Sequence, residues 1–309
     1  MRCRKCGREA VLNMRQHKLA LCEACFPLWV QEQVARTIHR HRMFEPEHRI
    51  LVAVSGGKDS LALWDILLTL GYQADGLYID LGIRQGGYST VSQEKARAFA
   101  GGHGGARLLV ESVPGRYGQS VPEVAAHHRR GHKVCSVCGL VKRHIMNRVA
   151  RDEGYDVIAT GHNLDDEAAV LLGNVLRWEA GYLQRQAPVL PADQAGLARK
   201  VKPLCTLYER EMAAYALVRG IDYIYDECPY AVGAQSLYYK DLLTQLEGHS
   251  PGAKRQFYDS FLRARERGAI VFRDQGQESL QPCRECGQPT SAGGLCAFCR
   301  LWVQEEGRP

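Results

Sequence analysis

A chain of 309 residues, 45% hydrophobic and 24% charged, has room for one large domain or two smaller ones and reads as a folded globular protein. No apolar run approaches the roughly 18–20 residues of a membrane-spanning helix, and the opening MRCRKCGREA lacks the apolar stretch of a secretory signal, so a cytoplasmic protein without a membrane partner is expected. The net charge of +6 permits an acidic partner without identifying one, and in a reducing compartment the twelve cysteines favour metal over disulfides.

Taken in chain order, the first feature is a C-x-x-C … C-x-x-C unit, Cys3, Cys6, Cys22 and Cys25, followed by a basic cluster at Arg36–Arg42. Arg49–Val54 is a strand-type run leading through SGGKDS into a helix at Leu61–Leu70. A strand at Ala74–Ile79, a helix at Ser92–Ala100 and a strand at Ala106–Val110 are expected next. A second basic cluster, His127–Lys133, precedes the pair Cys135 and Cys138 and a helix at Gly139–Glu153. Then come a strand at Asp156–Thr160, the stretch TGHNLDDEA, a helix at Leu164–Val175, a helix at Met212–Arg219 and a short strand at Asp222–Ile224. Ser250-Pro251 signals a helix start, and that helix should run to Arg267. A linker at Gly268–Gln281 leads to a last unit, Cys283, Cys286, Cys296 and Cys299. Each basic cluster reads equally well as a solvated face or as a nucleic-acid contact.

The two ends repeat one another. CRKCG at 3–7 matches CRECG at 283–287, and CEACFPLWVQEQ at 22–33 matches CAFCRLWVQEE at 296–306. Four thiolates from two knuckles suit tetrahedral Zn2+, and units this small bury no core without metal. Each end is therefore expected to hold one closed, structural Zn2+. Between them, strand and helix alternate, which implies an α/β fold with a doubly wound, mostly parallel sheet. The expected division is a zinc unit at 1–30, a catalytic domain at 31–267, and a linker with the second zinc unit at 268–309.

SGGKDS lies between a strand and a helix. Gly56 and Gly57 let the backbone turn tightly against an anion, and the helix start adds free N–H groups and a positive dipole end. Lys58 supplies a charge and Ser55 and Ser60 hydroxyls, whereas Asp59 needs a cation or a capping role. The pattern is not G-x-x-x-x-G-K-[ST], so a Walker-type site fits poorly. TGHNLDDEA follows a strand directly and so shares the carboxyl edge of the sheet with SGGKDS, where open α/β folds bind ligands. Asp165, Asp166 and Glu167 there read as helix caps or as ligands for Mg2+ beside phosphate. Asp80 is placed to approach a nucleotide sugar or base. Outside the terminal units stand Cys135, Cys138, Cys205 and Cys228, open to two readings: a C-x-x-C redox pair carrying persulfide or disulfide, or a cluster on three thiolates. Lys142, about one turn beyond Cys138 on the following helix, reads as a site residue or as an exposed lysine.

SGGKDS resembles the PP-loop of the N-type ATP pyrophosphatase superfamily, which has the adenine-nucleotide alpha hydrolase-like fold and transfers AMP to a substrate oxygen. With the terminal units, CSVCG at 135–139, TGHNLDDEA and DECPYA at 226–231, the resemblance covers nearly the whole chain. It narrows to tRNA 2-thiolation enzymes of the TtuA/TtcA family, nearest the TtuA-like branch, which thiolates a T-loop uridine. The resemblance implies ATP binding by Ser55, Gly56, Gly57, Lys58, Asp59, Ser60, Asp80, Gly161, His162 and Asp165, with Mg2+. It implies a [4Fe-4S] cluster on Cys135, Cys138 and Cys228, the last preceding a proline as the family's third cluster cysteine does, and leaves Cys205 as a small buried hydrophobe. Lys142, Asp166 and Asp59 take the catalytic roles. The implied partners are tRNA, a ubiquitin-like sulfur-carrier protein with a C-terminal thiocarboxylate, and a second copy in a homodimer. The implied reaction adenylates the C2 oxygen of a uridine and replaces it with sulfur. Cluster-free persulfide chemistry on the wobble uridine, another PP-loop reaction without need of the three cysteines, and a non-catalytic zinc-ribbon RNA-binding protein are the alternatives.

Overall fold

The computed structural model describes residues 1–127, 134–192, 197–272 and 280–302. The first cysteine unit encloses a small hairpin, β1 (Leu12–Met14) and β2 (Leu19–Leu21), paired antiparallel. Helix α1 (Cys25–Arg40) starts on the last cysteine of the unit and buries Phe26, Trp29, Val30, Val34 and Ile38 at helical spacing. These side chains join Cys3, Met14 and Cys22 in the same core as the central sheet, so the expected boundary near residue 30 falls inside a continuous helix.

Strand β3 (Ile50–Val54) follows, then α2 (Lys58–Thr69), β4 (Ala74–Asp80), α3 (Tyr88–Gly102) and β5 (Leu108–Ser112). The short helices α4 (Val113–Tyr117) and α5 (Val121–His127) precede the long α6 (Val134–Asp152) and β6 (Val157–Thr160). After α7 (Leu164–Arg177) and α8 (Ala180–Arg185) come β7 (Val189–Leu190) and β8 (Arg199–Val201), then α9 (Glu209–Val218), α10 (Gln235–His249) and α11 (Ala253–Glu266). Two short strands, β9 (Gln281–Pro282) and β10 (Pro289–Thr290), pair antiparallel inside the second cysteine unit.

The main sheet has the order β5-β4-β3-β6-β8-β7, parallel throughout except for the β7–β8 pair. Helices cover both faces, which explains the unbroken apolar run of β3: Ile50 and Val52 enter one core and Leu51 the other. The chain moves outward from β3 through β4 to β5, then crosses back to β6 on the other side of β3. The strand order reverses there, and the carboxyl ends of β3 and β6 flank a crevice.

Several expectations shift. Helix α2 begins at Lys58, so Asp59 and Ser60 lie in its first turn. Helix α6 runs Val134–Asp152, because burial of Val137, Val141 and Ile145 outweighs the cost of about 1 kcal/mol for Gly139 in a helix interior; Cys135, Cys138 and Lys142 therefore share one helix, not a loop and the helix after it. Strand β5 lies two residues beyond the expected 106–110. The expected strand at 222–224 is not formed, since β8 fills the slot beside β6; that segment runs extended and Ile224 N–H donates to Gly56 O at 3.0 Å. Ser250 ends α10, a helix without a strong start signal, and α11 is capped by Gly252 at φ 98° rather than by Ser250-Pro251. Glu247 accepts from Gly252 N–H at 2.6 Å and Lys254 N–H at 2.9 Å, which starts α11 two residues late. Of the second basic cluster only His127 lies among the described residues, and the second Leu-Trp-Val-Gln-Glu copy is described only to Trp302. Half of the expected linker, 273–279, lies outside them too.

Trp64 is the largest fully buried side chain and locks α2 onto β4, its Nε1–H donating to Ala74 O at 2.9 Å. A β-carbon on Gly76 would stand 2.5 Å from the Trp64 ring. Gly76→Ala should therefore lower unfolding free energy by about 1–3 kcal/mol in urea titration, and an unchanged midpoint would refute this packing.

Candidate functional site

The crevice is built by two loops and three helix starts. Gly57 caps α2, and Gly56 before it sits at φ 80°, where a β-carbon would collide with Ser92 O at 2.3 Å. Ser60 Oγ closes the turn, accepting from Ser55 N–H at 3.1 Å and donating to Gly57 O at 3.0 Å. From the other side Gly161 presses against this turn: a β-carbon there would lie 2.9 Å from Ser60 N. Asn163 then starts α7 with a capping box, accepting from Asp165 N–H and Asp166 N–H while Asp166 accepts from Asn163 N–H at 3.0 Å. Helix α9 begins at Glu209, whose N–H donates to Asp165 at 2.9 Å. The positive ends of α2, α7 and α9 thus meet at one spot, which favours an anion.

A ring of charges surrounds that spot. Lys58 Nζ donates to Asp59 at 3.1 Å and to Glu209 Oε1 at 2.7 Å. Lys240, from α10, reaches Asp166 at 2.6 Å and Glu209 Oε2 at 3.1 Å. Asn163 Nδ2 donates to Asp59 Oδ1 at 3.1 Å and closes the ring. Burial favours the uncharged form of each, but the partners decide. Glu209 is pushed up by burial, yet Lys240 and Lys58 prevail and hold it at about 2. Lys58 is drawn down by burial and held above the usual lysine range by Asp59 and Glu209. Asp59 stays raised, because burial and neighbouring Asp166 outweigh Lys58.

Of the other residues expected at the site, His162 and Asp80 make no bond to this ring, whereas Asp165 and Glu167 are buried beside it. His162 is exposed, its Nδ1 2.8 Å from Thr160 Oγ1. Asp80 accepts from Gly82 N–H at 2.9 Å and shapes its own loop. Asp165 is buried, one oxygen bonded to Lys254 and the other to the start of α9. Glu167 is buried with Lys202 at 2.8 Å and Tyr258 at 3.2 Å. Asp165 and Glu167 thus hold the fold around the ring, while Asp166 and Asp59 belong to it. Glu209 and Lys240 carried no signal in the sequence, because neither belongs to a motif and α10 had no recognisable start. Asn163, passed over in the sequence for Asp165, Asp166 and Glu167, is the N-cap, and an asparagine directly before L-D-D is the signal that could have found it.

The central thiols stand next to this crevice. A cavity of about 90 Å³ is lined by Ser55, Tyr78, Tyr88 and Ser92 on the loop side and by Lys142 and Met146 of α6. Cys138 lies one turn before Lys142. Burial pushes the Cys138 thiol up, the Lys142 ammonium opposes this, and Cys228 and Cys135 add to it, which puts both within electrostatic reach of Cys138. Tyr88, in the cavity wall, is pushed up to about 12 by burial, with Cys228 and Cys138 as its charged neighbours. Cys135 Sγ lies 3.2 Å from Tyr230 O, which joins α6 to the Cys228 segment. That segment is tied to the phosphate turn by Ile224, whose N–H donates to Gly56 O, and is followed by α10, whose Lys240 bonds Glu209. Cys205 is fully buried ahead of α9, its thiol pushed up to about 12 by burial, as expected of a packing residue.

The terminal tetrads, Cys3–Cys6–Cys22–Cys25 and Cys283–Cys286–Cys296–Cys299, each bring four sulfurs within 4.8 Å of one another. That spacing fits one tetrahedral ion with metal–sulfur bonds of about 2.3 Å. Among the described residues Cys135, Cys138 and Cys228 do not form so tight a set. The second tetrad is packed on α6: Phe298 stacks on His144 at 3.6 Å and 3°, and Gln288 Nε2 donates to His144 O at 3.0 Å. Cys283, Cys296 and Cys299 share a core with Val137, Val141 and Ile145 of that helix.

Residues 2–27 match the family described as the 2-thiouridine synthetase TtuA N-terminal LIM domain, and residues 29–232 match the PP-loop domain. The chain is 51% identical to the tRNA-5-methyluridine(54) 2-sulfurtransferase of Thermus thermophilus, over 98% of this chain and 91% of the relative. It is 41% identical to the protein of the same description from Thermotoga maritima, over 100% of this chain and 98% of that one. The fold is shared with the U34-tRNA thiolase NcsA of Methanococcus maripaludis, solved with its [4Fe-4S] cluster, at a TM-score of 0.80 and 24% identity, covering 100% of this chain and 99% of that one.

The His144 contact makes the helix bearing the thiols acid-sensitive. Burial, then Arg148 and Arg151, lowers His144 from 6.5 to about 4. The unfolded chain therefore takes up this proton first, and the stability that neutral His144 contributes is lost as pH falls from 6.5 towards 4. Between about pH 7.5 and 5, the wild type should lose on the order of 1–3 kcal/mol more unfolding free energy than His144→Phe, which keeps a flat ring on Phe298. Equal losses in urea titrations at the two pH values would assign the acid sensitivity elsewhere.

Proposed function

The chain belongs to the family of PP-loop tRNA 2-thiouridine sulfurtransferases, and from that premise we propose that it uses ATP to replace the C2 oxygen of 5-methyluridine 54 in tRNA with sulfur. One observation carries the assignment to residues: Lys142 lines the same cavity as Ser55 of the phosphate turn, one helical turn from Cys138. Activation and sulfur transfer then occur at adjoining positions along one helix.

The C2 oxygen of uridine is a poor leaving group. It attacks the α-phosphorus of ATP, forming an O–P bond as the bond to the β-phosphate breaks and pyrophosphate departs. The N–H groups at the start of α2 and the ammonium of Lys58 stabilise the departing charge. Lys142 stands where it neutralises negative charge on the AMP group attached to the base. A sulfur nucleophile then adds to C2, and AMP leaves with the electron pair of the C–O bond. The sequestered cavity fits a base withdrawn from its stack, as reaction at C2 requires. Gly161, Ser55, Gly56, Gly57 and Ser60 shape the nucleotide turn; His162 and Asp80 line its approach.

The donor set fits the metals of this family. Cys135, Cys138 and Cys228 would hold a [4Fe-4S] cluster, which supplies one iron without a protein ligand as a place for sulfur. Asp59 and Asp166, with oxygens facing the phosphate turn, would hold Mg2+, which supplies charge neutralisation for pyrophosphate. Each terminal tetrad would hold Zn2+, so that zinc units at 1–30 and 268–309 flank a catalytic domain at 31–267 and help dock the tRNA. The sulfur donor, by resemblance to the family, is a ubiquitin-like carrier whose C-terminal thiocarboxylate sits on a tail able to enter a recessed site. Among the described residues no helix is long and apolar enough to cross a membrane.

Mass analysis of nucleosides from tRNA incubated with anaerobically reconstituted enzyme, ATP and sulfide tests the reading. Thiolated 5-methyluridine at position 54 is expected, and thiolation confined to the wobble uridine would overturn the assignment of position. Lys142→Met should cut thiolation at least about a hundredfold while leaving ATP affinity within about threefold. Cys228→Ser should lose iron and thiolation together but still exchange pyrophosphate into ATP in the presence of tRNA. Full thiolation by Cys228→Ser without iron would sink the three-thiolate assignment.

A further inference from the structure

Lys240 lies outside every motif, on a helix eighty residues beyond the phosphate turn's partner loop, yet its ammonium is part of the charge ring. It shares Glu209 with Lys58: Oε1 of that carboxylate takes Lys58 at 2.7 Å and Oε2 takes Lys240 at 3.1 Å. Two like charges are thus held on opposite oxygens of a single side chain, beside the converging starts of α2, α7 and α9. Lys240 is largely covered, with 21% of its side chain exposed, and its ammonium lies between two carboxylates, Asp166 at 2.6 Å and Glu209 at 3.1 Å.

The ring holds Asp59, Asp166 and Glu209 against Lys58 and Lys240, three negative groups against two positive. A polyphosphate would meet a net negative surface unless the lysines turned towards it. A divalent cation arriving with the phosphates competes for Asp166 and so removes one of the two anions that hold Lys240. The phosphate oxygens then become the nearest strong acceptors for its ammonium.

We propose that Lys240 is a phosphate-binding residue of the nucleotide site: α10 delivers it as a second cation beside Lys58, and Glu209 holds both lysines in place, one on each oxygen, until the triphosphate takes them over. This deepens the reading of the PP-loop as an ATP site and rests on it. It also gives Glu209 a role distinct from that of a ligand, as the counter-ion exchanged for phosphate.

Calorimetric titration of the full-length protein with ATP and with AMP, in magnesium buffer, tests the proposal. Lys240→Met should weaken ATP about tenfold and AMP by less than about twofold, because the lost contact is to the β- or γ-phosphate. Lys240→Arg should retain most of the ATP affinity. Glu209→Gln, which removes the counter-ion but leaves both cations, should bind ATP at least as tightly as the wild type. Equal weakening of ATP and AMP by Lys240→Met, or a loss in Glu209→Gln that matches Lys240→Met, would show that the ring only supports the loop and would overturn the proposal. Unchanged ATP affinity in Lys240→Met would overturn it too. Absence of ATP binding by the wild type would instead remove the nucleotide reading itself.

Discussion

The close approach of Gly161 to the phosphate turn is the contact on which the site depends. With a hydrogen in place of a β-carbon, the backbone after β6 reaches within van der Waals distance of Ser60 N and Asp59 C. This approach brings the start of α7 beside the start of α2, so that Asn163 can hold Asp59 and Asp166 can face Lys240. A methyl group at residue 161 would separate the loops and disperse both the helix dipoles and the charge ring. The contact arises because β3 and β6 are paired neighbours, with Ile50 opposite Val157 and Ala53 opposite Thr160, so their outgoing loops must emerge side by side.

A second constraint fixes the thiols relative to that crevice. Helix α6 carries Cys135, Cys138 and Lys142 in its first turns and is clamped further along by the second cysteine unit. The clamp is a flat ring stack and a hydrogen bond to the helix backbone, and both resist rotation of the helix about its axis. The Cys228 segment is held to the phosphate turn by Ile224 and meets α6 through Tyr230. The nucleotide turn, the thiols and the terminal unit therefore form one mechanical system, although they come from distant parts of the chain. The first cysteine unit is joined to the opposite core through α1, so neither end of the chain is a detached appendage.

Much of this was legible in the residues. The alternation of strand and helix, the SGGKDS turn and the strand before TGHNLDDEA gave the fold and the edge of the sheet where chemistry occurs. These signals are local: apolar period and glycine at a tight turn. The reading failed where local signals compete. DYIYD has strand-forming residues, but the place beside β6 was taken by Arg199–Val201, which has almost no apolar signature. Ser-Pro at 250–251 resembles a helix start, but Glu247 caps the next helix from behind and moves its start to Ala253. VCSVCG read as a loop because paired cysteines suggest a knuckle and Gly139 disfavours a helix interior, but burial of Val137 and Val141 carries the helix through it.

Sequence alone determined the chemistry available: two four-cysteine sets, four further thiols, a glycine turn for phosphate and the acids beside it. Residue type and short spacing are sufficient there, since metal and phosphate select particular atoms at particular intervals. Tertiary structure alone decided which of those acids remain free. Asp165 and Glu167 turn to Lys254 and Lys202, while Asp166 and Asp59 stay at the crevice. It alone brought Glu209 and Lys240 to Lys58, because pairing between side chains so far apart in the chain is set by how α9 and α10 pack against α2 and α7, and packing at that range leaves no periodic mark on the sequence.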